Sequence, residues 1–566
     1  MAKFGVDVPT FDQWVLPSLF EKTAAGTLTF GDLFALHNTH RILFPRLIFI
    51  GLGFLSKWNI LAEMSFNLGW AILSFLGLYY LSLIANGMAD RTLFHLANLL
   101  VCVLFFSLNQ EWLWGFQLPI FLINFCVIFA CLILTIDGKN NRSKFLLSAG
   151  LCGIASFSSL QGLLSWLALI PAVVSLPGNN NQKRRRSLLW LLGFVVSCGV
   201  YAIGYIREPR TVTLSGWERI YTSIHFFLNL LAAPLTSSSK IAGFVGFLIL
   251  ISFLFFLIYN WRKYRKFHTF LNASPWISIG LFSVSTSVLT TVGRAELGAD
   301  YPLSAVRYTT HSLLLIIAIL YLGLQWISER YPNFKIQFPA LLYSFLCGVI
   351  ACALWVSSGQ AIARSDRNLF YTQSSQTCLY LFPYFNTSST FFENHPQRCL
   401  LPSSKSTWWI QDGVESLQAI GFRNFAHDVK WEAEPDRTYG YIDNPQKSDI
   451  FQVANSQSFT LGGWAIFPEK TPSATPQLVF LSRQSKSPEA APQFFANAYV
   501  NLDSPDVAEI LGRDRHSQSR WTLTLSADSL PPGESTISAW VYDRDRDRFV
   551  RLQGEINVKV NKDGLD

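Results

Sequence analysis

Charge is what this sequence lacks most. Only 14% of its 566 residues are charged, while half are hydrophobic and 15% aromatic. A soluble chain would carry about 25% charged residues, so a wholly soluble protein is excluded. The deficit is uneven. Up to about residue 358 the chain is a series of apolar runs, each long enough or nearly so to cross roughly 30 Å of hydrocarbon. Beyond residue 358 such runs are absent. The first thirty residues also lack the apolar core of a cleavable signal peptide. Charges are nearly absent from the runs themselves, with Glu63 close to an end. Ion-coupled transporters carry charged groups at midplane, so this absence counts against that class.

What is present is an α-helical polytopic membrane domain followed by a soluble tail. Ten spans are expected, near 60–86, 92–108, 116–136, 144–157, 159–176, 187–206, 240–260, 271–290, 308–327 and 338–358. The basic loops KNNRSK (139–144), KRRR (183–186), WRKYRK (261–266) and 329–335 account for the net charge of +8. Short basic loops face the cytoplasm; they give no reason to expect nucleic acid as a partner. With these loops inside, both termini fall outside, in a bacterial plasma membrane. An exported N-terminus with no preceding span suggests that the reading frame starts after a missing first helix. The run 42–57 is short and polar at its start, and is expected to lie at the outer interface. SFSSLQG interrupts the 144–176 pair, as cavity-lining breaks do.

Seven of the nine cysteines lie in spans, and buried cysteine behaves as a small hydrophobe. Cys378 and Cys399 lie in the exported tail, where an oxidising compartment favours a disulfide between them. The domains expected are 1–59, outer-face loop and interfacial helices; 60–358, transmembrane; 359–444, extracytoplasmic linker; and 445–566, a small antiparallel β-sandwich. The last rests on strand-like runs such as SFTLGGWAIF, PQLVFLSR, RWTLTLSA and FVRLQGEINVKV, separated by turn residues. ARSDRNLFYTQSS would continue the last span's helix. The alternating DRDRD run reads as a salt-bridged hairpin turn rather than a calcium loop, which needs a glycine turn and further oxygens. The tail reads as a binding or packing module.

Polar groups gather in the outer loops: Asp12, His37, Asn38, His40 and Arg41 before the first span; Glu111, Trp114 and Gln117 in SLNQEWLWGFQ; Gln161 in the break; Arg207 after the sixth span; and Arg294, Arg307, Tyr308 and His311 in the loop before the ninth. Arginines kept on the outer face run against the charge rule, and binding an anionic head group would explain them. His37 and His40 would share one helical face three residues apart and offer two metal ligands; no third is identifiable. A divalent metal therefore stays open, and no other cofactor is indicated.

The strings FDQWVLPSLFEKTAAGTLTFGDLFALHNTHRILFPRL, NQEWLWGFQ, FSSLQGLLSW, GRAELG and SAVRYTTHS, over residues 7–358, resemble a group of uncharacterised bacterial membrane proteins. That group is similar to the GT-C superfamily of glycosyltransferases, which use polyprenyl-phosphate sugars as donors. The resemblance implies an acidic residue in the first outer loop acting as base or metal ligand, and Asp12 in FDQW matches that position best. Glu111 is the second carboxylate candidate. Arg41, Arg207, Arg294 and Arg307 are expected on the lipid phosphate, with Tyr308, Gln117, Trp114, His37 and His40 lining the substrate cavity. The function expected is transfer of a sugar from a polyprenyl-phosphate donor to an extracytoplasmic glycan or lipid acceptor. The alternatives are a non-catalytic scaffold for envelope-glycan assembly, its tail binding the polymer, and a lipid-linked sugar transporter.

Overall fold

The computed structural model describes all residues except 88, 108–110, 139, 207–213, 264–266, 332–337, 386–399, 401–407, 444–449, 456, 468–476, 484–491, 513–515 and 562–566. The chain forms two compact units. One contains residues 27–53 and 61–365, the other residues 2–26, 54–60 and 366–566.

The first unit is a helix bundle. Among the described residues six helices are long and apolar enough to cross a membrane: Ile60–Asn86, Gly115–Thr135, Ser239–Arg262, Asn272–Leu297, Val306–Arg330 and Ala340–Tyr380. The chain is therefore a multi-pass membrane protein. At the other four expected positions the chain is helical but does not meet that length and composition: Arg91–Phe105, Asn141–Ser156, a set of short turns from Leu160 to Ser175, and Asn180–Ala202. They are shorter or begin in polar sequence. Their starts are fixed by side chains that take up orphan N–H groups. Asp90 Oδ1 accepts from the amides of Thr92 and Leu93, at 2.9 and 3.1 Å; Asn179 and Gln182 form a capping box.

The 144–176 interruption is a sharp reversal. A Cβ on Gly162 would lie 1.7 Å from the carbonyl oxygen of Ala155, so only glycine lets the two segments approach this closely. Trp166 Nε1 then donates to Ser156 Oγ at 3.0 Å and ties the two arms together.

The helix Leu43–Ser56 spans about 21 Å at 1.5 Å per residue, too short to cross. Pro45 sits in its first turn, where a missing N–H costs nothing. The HNTHR stretch before it is not helical. Leu36–His37 (β1) and His40–Arg41 (β2) pair antiparallel as a tight hairpin, with His37 opposite His40 and Asn38 at φ 53°. A helix Gly216–Ala232, in a segment expected to be an outer loop, packs its Phe226 and Leu230 against Ala295.

The helix Phe338–Tyr380 is continuous for 43 residues; its continuation past 358 follows the polar stretch as expected. The second unit then holds twelve-residue helix Trp408–Ala419 and strands β3 (Lys430–Glu432), β4 (Gly440–Asp443), β5 (Phe451–Ala454), β6 (Ser458–Ala465), β7 (Leu478–Arg483), β8 (Gln493–Tyr499), β9 (Arg520–Ser526), β10 (Gly533–Asp543), β11 (Arg548–Arg551) and β12 (Ile556–Asn561). Among the described residues these form a three-stranded sheet β4-β6-β9 and a larger one centred on β10, which pairs with β7, β11 and β12. The larger sheet is not purely antiparallel: β3 joins β11, and β5 joins β12, in parallel. FVRLQGEINVKV, one run by composition, is two strands parted at Gly554, whose φ of 80° breaks the extended path.

The DRDRD run closes the β10–β11 hairpin. Asp543 stands opposite Arg548 and receives its Nε at 3.0 Å, and Tyr542 donates to Asp547 Oδ1 at 2.5 Å. The N-terminal residues of this unit pack on an aromatic core. Trp58, fully buried, meets Trp14 and Phe20 edge-on at 5.9 and 5.5 Å. Arg423 lies 5.2 Å from the Trp58 ring and pairs with Asp7 at 2.7 Å. Cys378 is disulfide-bonded, whereas the seven span cysteines are free thiols; Cys399 lies outside the described residues.

Candidate functional site

Several loops meet at one end of the helical unit. The β1–β2 hairpin reaches two of them. His37, buried, puts its ring 5.2 Å from Phe116, which in turn lies 5.7 Å from Trp114. His40 Nδ1 accepts the Leu160 amide at 3.3 Å and lies 3.1 Å from Ser159 Oγ, which donates to Gln161 Oε1 at 2.5 Å. The two histidines thus pin different loops. Among the described residues no group of three or more His, Cys, Asp or Glu stands together to hold a metal.

Arg41 is 3% exposed. Its Nε donates to the carbonyl of Tyr201 at 2.8 Å, Nη1 to Phe34 at 2.5 Å, and Nη2 to Ile203. Those of Tyr201 and Ile203 are carbonyls at the end of the helix Asn180–Ala202, orphaned by helix termination. Arg46 likewise donates to Leu33 and Ala35, at 2.9 and 2.5 Å. Burial lowers its pKa to about 10, Asp32 opposing that shift and Arg41 adding to it.

A different cluster carries opposed charge. Glu111, half-buried between Arg91–Phe105 and the next span, has its pKa raised by removal from water, while the charges of Arg307 and Arg364 act to lower it. Desolvation prevails over both cations. Arg307 is held in place by its neighbours: Gln117 Nε2 donates to its carbonyl at 3.1 Å, its Nη2 donates to Tyr301 Oη at 2.8 Å, and its guanidinium lies 5.1 Å from the Tyr308 ring. The structure thus brings Glu111, Gln117, Arg307 and Tyr308 together, and adds Arg364, which sequence reasoning missed. Arg364 lies in ARSDR, a stretch whose only visible signal was helix continuation.

Arg294 is half-buried at the last residue of its helix, where a cation suits the dipole. Asp12 belongs to the second unit, in the first turn of the 3-10 segment Phe11–Val15; the cap there is Thr10, whose amide donates to Gln13 Oε1 at 3.0 Å. Arg207 lies outside the described residues. Comparison with protein-family models, curated proteins and solved structures finds no match for this chain.

Proposed function

We propose that the protein is a membrane-embedded glycosyltransferase of GT-C type, its ten spans delivering these loops to the extracytoplasmic face of a bacterial plasma membrane and its tail folding there as a β-sandwich. The donor is a polyprenyl-phosphate-linked sugar, the acceptor a glycan or lipid hydroxyl. The observation that carries this reading is the half-buried Glu111 carboxylate under the influence of two arginines.

That arrangement suits displacement at an anomeric carbon. The acceptor oxygen forms a bond to that carbon as the bond to phosphate oxygen breaks. The hydroxyl proton passes to Glu111, whose raised pKa makes it a stronger base than a solvated glutamate. The electron pair leaves with the polyprenyl phosphate, and Arg307 and Arg364 stabilise the charge that develops there. Asp12 remains a second carboxylate to test.

Full-length protein in nanodiscs, given a panel of radiolabelled polyprenyl-phosphate hexoses and the membrane's own lipid and glycan acceptors, should transfer label. Glu111→Gln should abolish that transfer while leaving the fold intact. Activity retained in Glu111→Gln but lost in Asp12→Asn would move the base to Asp12. Activity retained in both would refute the mechanism.

A further inference from the structure

The strands of the three-stranded sheet alternate strictly. In β9 the residues Trp521, Leu523 and Leu525 are buried, whereas Arg520, Thr522 and Thr524 point the other way. β6 and β4 follow the same alternation, so the outward side chains fall into rows across the sheet. The first row is Tyr441, Trp464 and Arg520, directly opposite one another in register. The next is Asp443, Gly462 and Thr522.

A solvated sheet face does not need this composition. Tyr441 is 42% exposed with its ring against Gly554, and its cross-strand partner Trp464 is partly buried, so two aromatic residues on one row present some apolar surface to solvent. Beside them Gly462 contributes no side chain, leaving a dip flanked by the Asp443 carboxylate and the Thr522 hydroxyl. One pleat further along, Thr460 and Thr524 share a hydrogen bond at 2.9 Å. Arg520 is held by Asp506, at 2.5 Å from Nη2, and stands 3.6 Å from Asp443.

Flat aromatic surface beside hydroxyl, carboxylate and guanidinium groups is the chemistry that recognises a sugar ring. The ring's C–H face packs on the aromatics and its hydroxyls meet acceptors and donors at the edge. Rigid side chains with few rotors, such as Tyr and Trp, lose little entropy in such a contact. The charge balance narrows the ligand. Among the described residues two carboxylates face one guanidinium, so these groups together carry a net negative charge that disfavours phosphates and uronates. We propose that the outward face of the β4-β6-β9 sheet is a binding site for a neutral polysaccharide, with Tyr441 and Trp464 as stacking platform and Asp443 and Arg520 as hydrogen-bonding edge. This site stands whether or not the helical unit transfers sugar.

The test uses the full chain, captured in nanodiscs on an interferometry sensor and exposed to mannan, dextran, a mixed-linkage β-glucan and polyanionic alginate, with empty nanodiscs as reference. Saturable binding to at least one neutral polymer is expected. Tyr441→Thr and Trp464→Thr should each weaken it about tenfold, the scale on which one contact of about 1.4 kcal/mol matters. Tyr441→Leu keeps apolar bulk in the sheet and should weaken binding as Tyr441→Thr does, which separates lost stacking from lost folding. No saturable binding to any neutral polymer, binding to alginate alone, or affinity unchanged in the three variants would overturn the proposal.

Discussion

Arg41 offers the sharpest separation between a structural and a ligand-binding arginine. Three of its donors are directed at carbonyls of Phe34, Tyr201 and Ile203, its own amide donates to Tyr201 Oη at 3.0 Å, and its guanidinium stacks 4.2 Å from the Phe34 ring. Hydrogen bonds involving a charged group contribute about 1.5–3 kcal/mol each. Three such bonds do not add fully, because water would reach some of the released carbonyls at a loop end. Leaving a buried acceptor unpaired costs about 1–3 kcal/mol, and Arg41→Ala should destabilise the helical unit by at least that amount. Arg41→Lys is the decisive variant. It keeps the charge but loses the planar fork, and one ammonium cannot serve carbonyls on two sides of the hairpin. If the residue serves as a clamp, Lys should recover less than half of the loss. If it acts as a point charge on phosphate, Lys should recover most of it. Thermal unfolding of the full chain in nanodiscs, read beside donor binding in the same samples, distinguishes the two. An Arg41→Lys protein as stable as the parent would refute the clamp.

Three further outcomes follow from the same geometry. The raised pKa of Glu111 means that its base form is lost at a higher pH than for a solvated glutamate, so the transfer rate should fall as pH drops through that raised value; Arg307→Gln, which removes a charge that lowers the pKa, should move the acid limb upward in a pH–rate profile. Gly162→Ala forces a Cβ to within 1.7 Å of a backbone oxygen and should sharply reduce the yield of folded protein, whereas Gly150→Ala, with nothing within 4 Å, should be neutral or gain up to about 1 kcal/mol of helix propensity, as size-exclusion profiles and melting would show. Asp7 Oδ1 accepts from both Arg423, at 2.7 Å, and the Ile60 amide, at 2.8 Å, so Asp7→Ala removes the carboxylate from a largely buried cation that keeps its bonds to the Asp7 and Trp58 carbonyls, and should cost the second unit about 1.5–3 kcal/mol in denaturant unfolding.

Much of the helical unit was legible because hydropathy is a local property. The run expected at 60–86 is the helix Ile60–Asn86, and the SFSSLQG break is a true reversal. The helix Gly216–Ala232 escaped because Glu218, Arg219, His225 and Asn229 dilute its mean hydropathy. Its signal is periodic instead: Trp217, Ile220, Tyr221 and Ile224 share one exposed face, with Trp217 84% exposed. The hairpin at HNTH was read as helical from a three-residue spacing, but a left-handed Asn38 turns the chain back on itself within two residues. The parallel pairings of β3 with β11 and β5 with β12 join segments about a hundred residues apart, and no local pattern encodes them.

The candidate site was legible by residue type and illegible by role. Composition marks arginine on loops where the charge rule disfavours it, but it does not say which way a guanidinium is turned. Arg41 and Arg46 are turned to chain carbonyls, Arg294 ends a helix, and Arg307, bonded to Tyr301 Oη, acts with Arg364 through its charge on Glu111. An arginine whose donors meet backbone oxygens stabilises termination of helices and turns, and its loss is felt as unfolding. An arginine acting on a half-buried carboxylate holds charge in a place that costs stability, and under the proposed function the donor phosphate would relieve that cost by matching the fork. The distinction rests on desolvation: at Glu111 burial overrides the influence of two cations, the kind of opposed arrangement that clusters at functional sites.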